Sequence, residues 1–277
     1  MITRNRRERT IATLRQLLAL PGLPRILVVD NGSSDGTMEA LEGLDTRVEA
    51  IAAGANLGAA GRNIGAVRAS TPYVAFSDDD SWWAPGSLER AADILDRDPR
   101  LALVAATIRV GAEQRIDPVC EWMAQALRKE PCEESVPIVG FVACGAIVRR
   151  TAFLQAGGFE RRYGVGGEER LLALDLLRDG WRMRYVPSIV AYHHPSPARD
   201  RGARRRREIR NDLWSAWLRR PLRSALVETR RALAAALRDR HARRGLAEAL
   251  RGAPWVLGSR RPIPSEIERQ VRRTERR

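Results

Sequence analysis

Two short apolar runs in this chain end abruptly in acids, and this recurrence constrains the fold more than any other feature. Arg25-Ile26-Leu27-Val28-Val29-Asp30 carries no polar alternation between its ends. Such a run is buried on both faces, as strands of a helix-covered parallel sheet are. Pro72-Tyr73-Val74-Ala75-Phe76 repeats the pattern and runs into Asp78-Asp79-Asp80. Val48-Glu49-Ala50-Ile51 and Leu101 to Ala106 read as further strands. Helical spacing fills the gaps: Ile11, Leu14, Leu17 and Leu18 before Pro21-Gly22, then Met38 to Leu44, a small-residue stretch from Asn56 to Ala69, and Leu88 to Leu95. This β-α-β-α alternation predicts an α/β fold with a mostly parallel sheet flanked by helices. Ligands of such sheets sit beyond the carboxyl ends of the strands, where Asp30 and Asp78–Asp80 both fall.

The second half is less regular. Val139 to Arg149 reads as a strand pair, Glu168 to Arg178 as a helix, Trp181 to Val186 as a strand closed by Pro187, and Ile189 to Tyr192 as an extended segment ending at His193-His194. From Glu208 the pattern is helical, with Leu213, Trp214, Trp217 and Leu218 on one face. After Pro221, Leu222, Leu226, Leu233 and Leu237 continue at helical spacing. Charge divides the chain at the same place. Residues 199–277 hold 24 Arg against 9 acids, a net of +15, whereas the whole chain carries +14, which leaves 1–198 at −1. The expected organisation is a body over 1–198 and a basic helical extension over 199–277.

No run reaches the ~20 apolar residues of a membrane span, and the first residues lack the apolar stretch of a signal peptide, so a cytoplasmic location is expected. Cys120, Cys132 and Cys144 are odd in number and widely spaced, which argues for reduced thiols.

Three adjacent carboxylates repel one another unless a cation intervenes. Aspartate oxygens suit Mg²⁺ or Mn²⁺, which keep open positions for phosphates. A solvated acidic turn that caps the next helix is the other reading. Asp30 and Asp35 can likewise cap, and Gly58, Gly61 and Gly65 can serve close helix packing as well as approach to a ligand. Trp82 and Trp83 suit either a core or a sugar-stacking wall.

Four motifs then occur in order: Val28-Val29-Asp30-Asn31-Gly32-Ser33-Ser34-Asp35-Gly36-Thr37; Asn56-Leu57-Gly58 with Arg62-Asn63-Ile64-Gly65; Asp78-Asp79-Asp80; and Gly166-Gly167-Glu168-Glu169, followed by Tyr192-His193-His194. Over roughly 1–198 this resembles glycosyltransferase family 2, inverting enzymes of the GT-A fold. The resemblance implies a nucleotide-sugar donor contacted by Asp30, Asn31, Asn56, Arg62, Asn63, Asp78 and Asp79. It implies a divalent metal, Mn²⁺ or Mg²⁺, held by Asp80 with Asp78 and a late histidine, His193 or His194. It implies a base from the acidic pair at a helix start, here Glu169 with Glu168 beside it. Family members carry Glu-Asp there, so Glu169 is one methylene longer than expected. Family members also begin with a full apolar strand; here Met1-Ile2-Thr3 resembles only its end, so a weakened first strand is expected, or a true start upstream.

The implied acceptor is a hydroxyl, and a lipid-linked one would suit the extension. Arg204 to Arg207 beside Trp214, Trp217 and Leu218 fit an amphipathic helix on an anionic membrane. The same residues also fit a packed helical extension with a solvated basic face. No nucleic-acid module is recognisable. Two other functions remain open at this level: a nucleotidyltransferase, which would carry a Gly-rich, Lys-bearing loop that is absent here, and a nucleotide-sugar-binding protein without turnover.

Overall fold

The computed structural model describes residues 1–22, 24–127, 134–195 and 201–275. Cys132 and the 198/199 boundary lie outside them; Cys120 and Cys144 are free and buried. The acid-terminated run is β2 (Ile26–Asp30), flanked in parallel by β1 (Ile2–Thr3) and β3 (Val48–Ala52). A parallel bridge from Ile2 to Asp78 joins this sheet to a second one. There the order is β4 (Tyr73–Ala75), β9 (Ala146–Arg149), β6 (Leu101–Val110), β10 (Arg182–His193) and β5 (Ser81–Trp83). Short β7 (Arg115–Ile116) and β8 (Val136–Pro137) pair with β6 and β10.

The mixed α/β fold is as expected, but its parallel share is smaller. Parallel pairing is confined to β1–β3 and to β6 beside β10, whereas β4/β9, β9/β6 and β10/β5 are antiparallel. Parallel neighbours require a long crossover. β5 follows the Asp78–Asp80 turn directly and pairs antiparallel with the end of β10. Two further readings change. Only Ala146–Arg149 of the expected 139–149 strand pair is a strand, after a 3₁₀ turn at Ala143–Gly145. The two extended segments around Pro187 are one strand, β10, whose register jumps between Val186 and Val190 so that the proline leaves the ladder.

β1 is indeed short. Beside it a cavity of about 250 Å³ opens between β2 and β4, lined by Met1, Leu27, Val29, Tyr73, Val74 and Ile147 among others.

Helices cover both faces. α1 (Arg7–Leu18), α2 (Thr37–Leu41) and α4 (Ser87–Arg97) pack through Leu14, Leu17, Leu41 and Leu95 against Val28, Trp83 and Ile189. On the other side, α3 (Gly61–Arg68), α5 (Pro118–Ala126), α6 (Arg150–Gln155) and α7 (Glu168–Arg178) enclose a cluster that includes Phe76, Phe153 and Phe159, with ring centroids 5.3–5.5 Å apart.

The extension forms α8 (Arg201–Arg219), α9 (Leu222–Arg238), α10 (Arg240–Arg251), α11 (Ala253–Gly258) and α12 (Ser265–Glu275). Leu213, Trp214 and Leu218 of α8 are buried against Tyr163 and Leu171. That face therefore packs inward and is not the membrane-facing one that its composition allowed. Arg219 reaches Asp175 of α7, and Arg220, buried between helices, forks onto Glu268 at 3.0 and 2.9 Å and onto Glu275. Such bidentate pairs fix orientation as well as energy. α12 returns to the body, where Ile263 and Val271 join the main core and the Trp122 indole donates to the Thr274 carbonyl at 3.3 Å. Among the described residues, no helix is long and apolar enough to cross a membrane.

Candidate active site

The three aspartates leave β4 on a tight turn closed by Ser81 N–H to the Asp78 carbonyl at 3.2 Å. Their side chains diverge. Asp78 ion-pairs with Arg62. Asp79 is buried and accepts from Arg6 Nη1 at 3.0 Å and from the Thr3 hydroxyl at 3.3 Å. Burial pushes its pKa up to about 6; Arg6 opposes that shift and Asp80 and Asp78 add to it. Asp80 faces Arg6 at 3.3 Å and Arg9 at 3.6 Å through Oδ2. The cluster is thus a knot of alternating charges anchored by α1 and its preceding turn.

Asp80 Oδ1 also lies 3.3 Å from His193 Nε2, a buried nitrogen without hydrogen-bond geometry to any partner. Two ligands at ~2.1 Å on adjacent corners of an octahedral Mg²⁺ shell are about 3 Å apart. The Asp80–His193 spacing therefore fits one cation held between them. The rest of the expected set is elsewhere: Asp78 is turned to Arg62, and the His194 ring packs on Trp82 with centroids 4.7 Å apart. Among the described residues no three His, Cys, Asp or Glu side chains converge as a ready-made metal cage. Trp83 is buried in the core, and Trp82 is partly buried against the same cluster with the His194 ring on its face.

The second acidic site stands at the start of α7. Gly167 caps it with φ +87°, a left-handed conformation that favours glycine. Glu168 is buried and accepts from the Gly166 N–H. Its pKa rises to about 8, first because burial disfavours the charge and then because Glu169 is beside it. Glu169 is also raised, by burial, while Arg62 and the Ala143 N–H at 3.5 Å favour its anion. Such a pair titrates as a unit. Arg62 joins the two acidic sites. Burial works against its charge, but Asp78, Glu168 and Glu169 outweigh that and hold its pKa above the ordinary value. Its guanidinium lies 5.5 Å over the Phe159 ring, and its Nε and Nη1 are buried without partners.

The remaining candidates build the frame. Asp30 is buried and accepts from the Ser33 N–H at 2.9 Å and from its hydroxyl. The Asn31 amide bonds the Leu57 N–H at 3.2 Å and the Gly58 carbonyl at 3.1 Å, tying the β2 end to the glycine turn. Exposed Asn56 accepts from the Gly58 N–H at 3.1 Å. Asn63 is spent at both ends on Phe159, donating to its carbonyl and accepting from its N–H at 2.9 Å each. Gly58, at φ +58°, lets the backbone approach Gly164, where a Cβ would stand 2.7 Å from the carbonyl.

Sequence patterns did not reveal the partners of these residues. Arg6, Arg9 and Thr3 looked like an unremarkable polar start, and nothing local links them to Asp79 and Asp80. Asn211 was equally hidden. Fully buried on α8, it donates to the carbonyls of Tyr163, at 3.0 Å, and Gly166, so the extension grips the loop that delivers Glu168. Arg210 adds a bond to the Tyr163 carbonyl at 2.8 Å, and Arg207 one to that of Val165 at 3.1 Å. A lone polar residue on an apolar helical face was the available signal.

The chain resembles known proteins in both sequence and fold. The chain is 31% identical over 261 residues to N-acetylglucosaminyl-diphospho-decaprenol L-rhamnosyltransferase of Mycobacterium tuberculosis, covering 79% of this chain and 84% of that protein. Its fold matches that of S. aureus TarS 1-349 in complex with UDP, with a TM-score of 0.59 and 18% identity over 91% of this chain and 69% of that one. It also matches the mannosyltransferase PcManGT from Pyrobaculum calidifontis in complex with GDP-Man and Mn²⁺, with a TM-score of 0.57 and 18% identity over 99% of this chain and 84% of that one. The family model for glycosyl transferase family 2 matches residues 1–156, more than half the chain. The protein is a glycosyltransferase and belongs to glycosyl transferase family 2.

Proposed function

We propose that the chain transfers a sugar, with inversion, from a nucleotide-sugar to a hydroxyl of a lipid-linked acceptor, with Glu169 as the base. One observation carries this reading: buried Arg62 stands between Asp78 and the Glu168–Glu169 pair, so two acidic motifs 90 positions apart share one cation. Asp30, Asn56 and the Asp78–Asp79 turn would face the nucleotide, and Asn31 and Asn63 hold the turns on which it lies. The two unpartnered N–H sides of Arg62 suit an anionic oxygen. Asp80 and His193 would hold Mn²⁺ or Mg²⁺; Asp78, given to Arg62, and His194, given to Trp82, would support rather than ligate. Bound there, the ion neutralises negative charge on the diphosphate.

An inverting base must accept the acceptor proton from the face opposite the leaving group. Glu169 is the member of the pair suited to this. Arg62 and the Ala143 N–H favour its anion, while burial raises its affinity for the incoming proton. The additional methylene of Glu against Asp extends its reach toward the acceptor. The M. tuberculosis relative, by its name, carries an L-rhamnosyl group to a diphospho-decaprenol-linked N-acetylglucosamine. Nucleotide-activated L-rhamnose and a prenyl-diphosphate sugar are accordingly the first substrates to try. In this reading 1–198 carries the chemistry, 199–277 braces it, and the enzyme works at the cytoplasmic membrane surface.

The decisive experiment screens donor hydrolysis and transfer over UDP-, GDP- and dTDP-sugars with Mn²⁺ and with Mg²⁺. Turnover with one donor that disappears in Glu169→Gln, with donor affinity retained, is expected. Donor binding with no turnover under any condition would instead identify a binding protein.

A further inference from the structure

The extension buries one set of apolar side chains and exposes another. Among the described residues, seven of the eleven large apolar side chains that are exposed lie between Leu222 and Leu257. Five of them belong to α9: Val227, which is 45% exposed and lies off to one side, and the four leucines Leu222, Leu226, Leu233 and Leu237, which are 57, 49, 50 and 83% exposed. At about 100° per residue these four fall within about 60° of one another, a stripe about 22 Å long. The opposite side of α9 is buried through Ser224, Ala225, Ala232 and Ala236. The rest of the exposed half carries Arg223, Arg230, Arg231 and Arg238. Glu228 is the helix's only acid; it sits toward the buried side and pairs with Arg231 at 3.2 Å.

We propose that α9 is a membrane-docking helix, lying flat on an anionic lipid surface with the leucine stripe in the acyl boundary and the flanking arginines among the headgroups. A leucine stripe with cations along one margin and no exposed acid is complementary to such a surface. A second copy of the chain is a poor occupant by comparison. Stripe-to-stripe contact would bring the arginine margins of two strongly basic extensions together, with no acids between them to offset the repulsion. The proposal rests on the lipid-linked acceptor of the preceding section and assigns the surface that would meet its membrane. It also relocates the contact, since the tryptophan-bearing face of α8 is interior.

The test is co-sedimentation of the full chain with vesicles of phosphatidylcholine alone and of phosphatidylcholine mixed with phosphatidylglycerol. Binding to the anionic vesicles is expected, suppressed by high salt. The double variant Leu226→Ser/Leu237→Ser should bind about tenfold less, as should Arg223→Glu/Arg230→Glu, with thermal melting unchanged because all four positions are exposed. Equal partitioning of wild type and both variants would overturn the proposal. So would a wild-type dimer in sedimentation velocity that the leucine variant dissolves while vesicle binding stays the same, since the stripe would then serve a second copy. Hydrolysis of soluble donor, measured without vesicles, reports separately on the transferase reading. A chain that docks through α9 but hydrolyses nothing would sink that reading and leave this one standing.

Discussion

Asp78–Asp80 and Glu168–Glu169 are both runs of adjacent carboxylates at the end of a loop, yet their surroundings are opposite. The aspartates are met by Arg6, Arg9 and Arg62, so their charge is answered by cations from two parts of the chain, and His193 lies beside Asp80. The glutamates have Arg62 and two backbone N–H groups, and burial dominates, lifting both pKa values. Burial lifts Asp79 as well, but of the two clusters only the aspartates have direct ion pairs, among the described residues, to answer their charge. The contrast teaches that the same side-chain chemistry is tuned by neighbours that lie far away in sequence.

The comparison breaks most visibly at Glu169. Glu169→Gln should lower kcat by about 10³-fold, within the range for loss of a general base, and leave donor affinity within about twofold. A smaller loss in steady-state transfer would move the base elsewhere. Asp80→Asn tests the aspartate side: donor affinity should fall about tenfold with Mn²⁺ present and stay unchanged with chelator, by calorimetry. Arg62→Lys keeps the charge but loses the planar fork, so donor KM should rise roughly tenfold, whereas a change in kcat alone would exclude a phosphate contact. Asn211→Ala should lower kcat a few-fold through a loosened Gly164–Gly167 loop, with KM for donor unmoved.

The finest test uses pH. With Glu169 as the proposed base, an acidic limb of the kcat/KM profile should survive Glu168→Gln, which removes only the neighbouring Glu168 carboxyl. Its folded-state pKa of about 8 lies above the ordinary 4.5. The stability that this shift contributes is complete below about 4.5 and is lost as pH rises through about 8. Wild-type Tm should therefore decline between pH 6 and 9 by a few degrees more than that of Glu168→Gln. Parallel declines would show that the pair is not held by burial.

Much of the first 110 residues was legible because β2, β4 and the Leu101–Ala106 part of β6 are unbroken apolar runs and α1 and α4 keep helical spacing. The start of α7 at Glu168 was legible as well, since two glycines precede it. β5 was not, because Ser81-Trp82-Trp83 is too short to show a period and pairs only with distant β10. α5 was missed although Asp117 caps it through Val119 N–H and Pro118 opens it, since its apolar residues lack a helical stripe of useful length. For the site, the acids were visible and their partners were not. Arg6 meeting Asp79 and Asn211 meeting Gly166 depend on tertiary packing, which leaves no local mark. The tail's composition fitted a membrane helix and a packed extension equally, because aromatic and basic residues on α8 look alike whether they cover a core or a bilayer.

The clasp between Asn63 and Phe159 has a mechanical consequence. Its two hydrogen bonds, with that from the Ala59 N–H to the Gly164 carbonyl at 2.9 Å, tie the glycine turn after β3 to the segment leading to Glu169. To part like jaws, these two walls would have to break all three bonds at once.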